Sequence, residues 1–178
     1  MRERVCTFCR PFLLTKTIAN VIPLLWVNFD FANKKLVMTV IRNIAAVILG
    51  LLLGSIANGY LISISGKVIP PPMGVDVKTL EGLKAGIHLF EPKHFLFPFL
   101  AHAVGTFVGA IVAVLMAATK KYKFALTIGI LFLIAGIINV VMLPAPMWFN
   151  IVDLVGAYIP MALLAYWLVS SLSPKTAQ

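Results

Sequence analysis

Uncharged apolar stretches alternate with short charged patches along this chain, and the lengths of those stretches set the fold class. Residues 43–66 form a run of 24 without a charge, bounded by Arg42 and Lys67. A helix rises about 1.5 Å per residue, so about 20 apolar residues cross the hydrocarbon of a bilayer. A second run, 94–119, lies between Lys93 and Lys120, and a third, 124–152, has 29 residues. The third is too long for one ordinary span. Pro144-Ala-Pro146 divides it, because proline lacks an amide donor and turns the preceding residue away from helix. The pattern predicts four spans, at about 43–65, 94–118, 124–143 and 147–172, in one membrane domain of residues 38–178. The expected fold is all-α: an integral-membrane four-helix bundle.

The segment between the first two spans carries its own periodicity. Pro70-Pro71-Pro72 is stiff and extended, and Gly74 releases the chain into a turn. Val77, Leu80, Leu83, Ile87 and Phe90 then recur at helical spacing, with Lys78, Glu81, Lys84 and His88 between them. This predicts a short amphipathic helix over 76–90, lying on the membrane surface and capped by Asp76. Gly82 and Gly86 weaken it by about 1 kcal/mol each relative to alanine. Pro92 suits the first turn of the second span.

Residues 1–37 fit the pattern least. They hold six basic and two acidic residues, and their apolar run, 11–27, is interrupted by Lys16 and Pro23. No small-residue cleavage site of a signal peptide follows. They are expected to be an upstream extension before a natural start at Met38 or a disordered leader, with an interfacial anchor helix as the alternative. Cys6-Thr-Phe-Cys9 in this leader lacks the further ligands that a zinc site needs, so the two thiols are read as incidental.

Composition then settles the solvent. Apolar residues make up 61% of the 178 and charged residues 12%, about half the charge of a soluble domain. A secreted enzyme, a disulfide scaffold and a disordered chain are excluded. The net charge of +9 comes from Lys and Arg clustered at the ends of apolar runs, where they meet lipid headgroups. The expected partner is the lipid bilayer, with a homo-oligomer or a partner membrane subunit as a further option, and not nucleic acid. Lys120, Lys121 and Lys123 fill the second connection, Lys34, Lys35 and Arg42 precede the first span, and Lys175 follows the fourth. Basic residues mark the cytoplasmic side, which predicts a multi-pass protein with both termini cytoplasmic. The first connection mixes Lys67, Lys78, Lys84 and Lys93 with Asp76, Glu81 and Glu91 and is placed outside.

With that orientation, polar residues of four antiparallel spans fall in one layer. Asn58, His102, Asn139, Asn150 and Asp153 lie roughly 6–12 Å below the outer surface. Asp153 is the only acidic residue within a span, and an ionisable group there is a functional candidate by default. A carboxylate needs a partner in a low dielectric, and His102 is the one expected. Together with Glu91 and His94 beside the layer, these residues form the expected ligand-binding set, with His102 and Asp153 as candidates for acid/base catalysis. Hydrogen bonds that merely tie helices together are the alternative. His88-Leu-Phe-Glu91-Pro-Lys-His94 contains zinc-ligand types, but Pro92 interrupts the helix that would align them, so no metal is expected. A single intramembrane histidine does not suit haem, and no phosphate-binding loop, nucleophile elbow or dinucleotide fingerprint is present. No cofactor is expected. Gly50/Gly54 and Gly105/Gly109 sit four residues apart, so each pair stacks on one helix face and permits close packing of spans one and two, or dimerisation.

The stretch from Ile69-Pro-Pro-Pro-Met-Gly-Val-Asp76 through His88-Leu-Phe-Glu-Pro-Lys-His94 to Phe99-Leu-Ala-His102 resembles a group of small bacterial four-span membrane proteins, as does Leu143-Pro-Ala-Pro-Met-Trp-Phe-Asn-Ile-Val-Asp153. The resemblance covers 38–172 and implies a class, a multi-pass protein of a bacterial inner (plasma) membrane, without an activity. Four-span subunits associated with quinone oxidation are less similar. Three functions stay open: a non-enzymatic protein binding or helping to move a small polar solute or lipid headgroup; a membrane-embedded enzyme using His102 and Asp153; and a structural subunit docking through its glycine faces.

The charge pattern yields a topology test. A cysteine replacing Lys78 is expected to react with an impermeant thiol reagent in intact cells, and one replacing Lys121 only after lysis. Labelling at 121 but not 78 inverts the assignment.

Overall fold

The structure, a computed structural model, describes the backbone of residues 10–172 and the side chains of residues 33–172. Cys6, Cys9 and Lys175 lie outside the described residues. Helix α1 runs over Arg10–Val68, so positions 10–37 of the expected leader are helical. The chain divides into two units, Met1–Ile41 and Arg42–Gln178. In the first, the Thr39 hydroxyl donates to the Lys35 carbonyl one helical turn back. The second holds the rest of α1 and five further helices: α2 Leu80–Gly86, α3 Leu96–Met116, α4 Lys121–Met142, α5 Met147–Gly156 and α6 Ile159–Leu172. Among the described residues, four segments are long and apolar enough to cross a membrane: Asn33–Val68, Pro92–Met116, Lys121–Met142 and Met147–Leu172. The protein is a small all-α, multi-pass membrane protein in contact with the bilayer.

Lipid tails are as apolar as leucine, so helices in a bilayer associate by close packing and not by hydrophobic exclusion. The core shows this. Ala110, Ala113, Ala125, Ala162 and Ala165 are fully buried where α3, α4 and α6 meet, with Val114 and Ile128 filling the space between them. α3 packs against both α4 and α6. Large apolar side chains such as Ile48, Ile56, Val141 and Trp167 point outward.

The two glycine pairs meet each other. A Cβ at Gly50 would stand 2.7 Å from the Gly109 carbonyl oxygen, and one at Gly54 2.6 Å from that of Gly105. α1 and α3 therefore touch backbone to backbone inside the monomer. Below this crossing α1 also closes the far end of α3: the Arg42 guanidinium donates to the Met116 carbonyl (3.2 Å), and the Asn43 side chain accepts from the Ala118 amide (2.9 Å). A cation at a helix C-terminus meets the negative end of the helix dipole.

The first connection departs from its expected course. Helix begins at Leu80 and not at residue 76, with Thr79 as its cap: the Thr79 hydroxyl accepts from the Gly82 amide (3.1 Å). Asp76 is instead spent on a local turn, accepting from the Lys78 amide (2.8 Å) and the Thr79 hydroxyl (2.6 Å). These bonds, the Thr79 hydroxyl first, hold the Asp76 carboxyl below its usual range. The glycines that lower helix propensity have a compensating use. A Cβ at Gly82 would stand 2.6 Å from the Asp76 carbonyl oxygen, and one at Gly86 would strike Val75, so both let the extended arm fold onto the helix. A 3₁₀ turn, Ile87–Leu89, follows, and a second, Pro92–Phe95, leads into α3.

The fourth span is not one helix. It breaks between α5 and α6 at Ala157 and Tyr158. Pro160 explains this: it has no amide to offer the Gly156 carbonyl four residues earlier, and its ring crowds that carbonyl. The break turns Tyr158 back toward α5.

The crossing of α1 and α3 gives a direct test. Gly109→Val should destabilise the detergent-solubilised protein by about 1–3 kcal/mol, the usual range for overpacking. Gly66→Ala, where a Cβ meets nothing within 4 Å, should be neutral or slightly stabilising in the same thermal melts. Equal behaviour of the two variants would mean that the helices do not cross at these glycines.

Candidate functional site

Asp153 sits in the second turn of α5, about 9 Å inside the fourth span, and is 2% exposed. A bare carboxylate at that depth is costly, and three donor contacts meet it. His102, on the facing side of α3, directs Nδ1 between the two carboxylate oxygens, 2.8 Å from Oδ1 and 2.9 Å from Oδ2. The Tyr158 hydroxyl, brought back by the Pro160 break, donates to Oδ2 at 2.9 Å. A carboxylate accepts, so the proton between it and the imidazole lies on Nδ1, and Nε2 is left for whatever stands on the other side of the ring. The Tyr158 ring stacks on the imidazole, centroids 5.7 Å apart at 28°. Buried Thr106 donates to the His102 carbonyl (2.8 Å) and holds that turn of α3. Gly136 on α4 leaves the room that the Tyr158 hydroxyl occupies.

Nε2 faces a cavity. A space of about 300 Å³ is lined by Asn58, His102, Asn139, Asn150 and Asp153, with an otherwise largely apolar wall that includes Ile62, Leu83, Phe95 and Phe149. Thus four helices each place at least one of the expected polar residues on one cavity, and Leu83 and Ile87 of the first connection roof it. No hydrogen bond reaches His102 Nε2 or the side-chain amides of Asn58 and Asn139 from any described residue. Asn150 is partly committed, since its amide donates to the Ala145 carbonyl at 3.3 Å and steadies the turn between α4 and α5.

The remaining two expected ligands are placed otherwise. Glu91 lines neither this cavity nor the two beside it. It caps the 3₁₀ turn into α3 in a reciprocal box with His94 and pairs with Lys93 at 2.9 Å; that hydrogen bond and charge hold its carboxyl below the usual range. His94 Nδ1 accepts from the Glu91 amide (3.0 Å) while Nε2 donates to the Pro70 carbonyl (3.1 Å), so it ties the proline arm to the start of α3. It borders a neighbouring cavity of about 270 Å³ nearer the membrane surface. Among the described residues, no three His, Cys, Asp or Glu side chains converge on a point that a metal could occupy.

Runs of charge give no hint of Tyr158, Gly136 or Thr106. The signal for the first lies in Tyr158-Ile-Pro160: a proline well inside an apolar span forces a break, and a polar aromatic beside a break is free to turn inward. Gly129 and Gly136, seven residues apart on one face of α4, receive Ala162 and Tyr158. That spacing is visible in the sequence too. Comparison with known protein families, curated proteins and solved structures found no match to this chain.

The contacts around Asp153 predict non-additive energetics. His102→Ala and Asp153→Asn should each lower thermal stability in detergent, and the double variant should lose less than the sum, with a coupling of about 1 kcal/mol. Tyr158→Phe should show a smaller coupling with Asp153→Asn. Full additivity would mean that the imidazole and carboxylate do not interact.

Proposed function

We propose that this protein is a non-enzymatic membrane binding protein whose ligand places a polar head against His102 Nε2, Asn58 and Asn139, and that it holds or helps to move that molecule in the outer half of a bacterial inner membrane. The observation that carries the reading is the match between an unpaired set of hydrogen-bonding groups and an otherwise apolar cavity, the usual make-up of a small-molecule site. Side chains that served only as helix-to-helix glue would pair with one another. Here Asp153, His102 and Tyr158 pair, while Asn58 and Asn139, which line the same cavity, make no side-chain hydrogen bond to any described residue. At about 300 Å³ the space lies at the small end of ligand sites, which suits a headgroup or a small solute.

A second reading rests on one detail. An imidazole whose Nδ1–H is held by a carboxylate, with Nε2 toward a cavity, is oriented as a general base. Its mark would be chemical change in the bound molecule on incubation, where a binding protein returns it unaltered. The docking-subunit reading has less support, because Gly50, Gly54, Gly105 and Gly109 are spent on each other inside the monomer.

Native mass spectrometry of protein extracted in mild detergent tests the proposal even with the ligand unidentified. Wild type is expected to carry a small-molecule adduct that His102→Ala and Asn58→Ala lose while staying folded. Identical spectra for wild type and both variants would refute a ligand at this site.

A further inference from the structure

The cavity behind His102 does not end inside the bundle. It adjoins a second space of about 200 Å³, and the two share Asn58, His102, Gly136 and Asn139. This second space lies between α1, which contributes Ser55 and Asn58, and α4, which contributes Phe132, Ala135, Gly136 and Asn139, with His102 and Tyr158 behind. Ser55, Ala135 and Asn139 are exposed. Ala135 lies two turns, about 10 Å, inside the end of α4 at Met142, and Ser55 is further still from the end of α1 at Val68. Both therefore lie at the depth of the hydrocarbon, where the surroundings of the protein are lipid and not water. Polar side chains within spans ordinarily face the bundle interior or pair with one another. Here two of them, Ser55 and Asn139, frame an opening toward the tails, and no described residue pairs with either side chain.

The chemistry around the opening limits what can pass. No lysine or arginine lines either space, while the Asp153 carboxylate stands directly behind the imidazole. Beside a neutral imidazole, an anionic head would meet the Asp153 charge with no compensating cation. Nε2 of a neutral, Nδ1-protonated imidazole carries a lone pair and accepts a hydrogen bond; the Asn58 and Asn139 amides both donate and accept. The complementary head is neutral and carries a hydroxyl donor beside an acceptor oxygen. The two spaces are too small to enclose a long molecule, so an apolar tail would trail between α1 and α4.

We infer that the site is loaded sideways from the bilayer through the gap between α1 and α4, and that its ligand is a neutral, hydroxyl-headed amphiphile. This rests on the reading of the His102 cavity as a binding site. The route is a separate claim, since the same head chemistry on a water-soluble molecule would arrive from the outer surface.

The test uses the full chain in phosphatidylcholine nanodiscs and three photoactivatable probes: a long-chain monoacylglycerol, the matching fatty acid, and a water-soluble short-chain triol. The monoacylglycerol should label residues of α1 and α4 around 54–62 and 132–142. His102→Ala and the milder His102→Gln should cut that labelling by about fivefold, the effect of one lost hydrogen bond. Ala135→Trp, which fills the gap, should cut it similarly. Gly59→Trp, placed where a Cβ meets nothing within 4 Å, should not. The fatty acid should label the site several-fold less. His102-dependent labelling by the triol that Ala135→Trp leaves unchanged would overturn the lateral route while retaining the binding site. Equal labelling by fatty acid and monoacylglycerol would overturn the neutral head. Labelling by any probe that neither His102 variant changes would overturn the site and the route together.

Discussion

A single carboxylate buried in a low-dielectric layer is the constraint around which this molecule is arranged. Asp153 is 2% exposed at a depth where water is scarce, and an unpartnered charge there is expensive. The bundle meets it with an imidazole from α3 and a phenol from the break before α6. Each donor brings a requirement of its own. The imidazole needs its turn of α3 held, which the Thr106 bond provides. The phenol needs a break in the fourth span and a vacancy in α4, which Pro160 and Gly136 supply. Much of the irregularity in an otherwise plain bundle traces to that one group.

Close packing carries the rest. With little hydrophobic force to bring helices together within lipid, contact depends on backbones approaching closely, and α3 is built for that with alanines and glycines along its buried face. The crossing at Gly50/Gly109 and Gly54/Gly105 fixes where α1 meets α3. The same economy is absent toward the Val68 end of α1, where α1 and α4 flank a polar-lined space. Tight contact at one level gives way to a gap at the next, where a Cβ at Gly59 or Gly66 of α1 would meet nothing within 4 Å.

Most of the architecture was legible in the pattern of charges. Uncharged runs and the Pro144/Pro146 pair mark the spans, because charges are excluded from hydrocarbon and prolines end helices. Helical register alone puts Asn58, His102, Asn139, Asn150 and Asp153 in one layer, and these five line one cavity. What could not be read has physical reasons. The shorter helix in the first connection follows from competition between two capping residues, Asp76 and Thr79, that propensity does not separate; the tertiary fit of Gly82 and Gly86 against the arm decides it. Glu91 and His94 cap the turn into α3, a role their residue types share with ligand binding and that spacing does not separate from it. The role of Tyr158 depends on a change of direction that periodicity over a whole span averages away.

Asp153 fixes the His102 ring so that Nε2 faces the cavity as an acceptor, and every functional role given to the cavity depends on that orientation. Solid-state ¹⁵N spectroscopy of histidine-labelled protein in bilayers reads the orientation from the two ring nitrogens, with His102 assigned by comparison with His102→Gln. The expected spectrum has a protonated, hydrogen-bonded Nδ1 and an Nε2 without a proton, with that preference lost in Asp153→Asn. A His102 ring protonated at Nε2 alone, or one unaffected by Asp153→Asn, would contradict it.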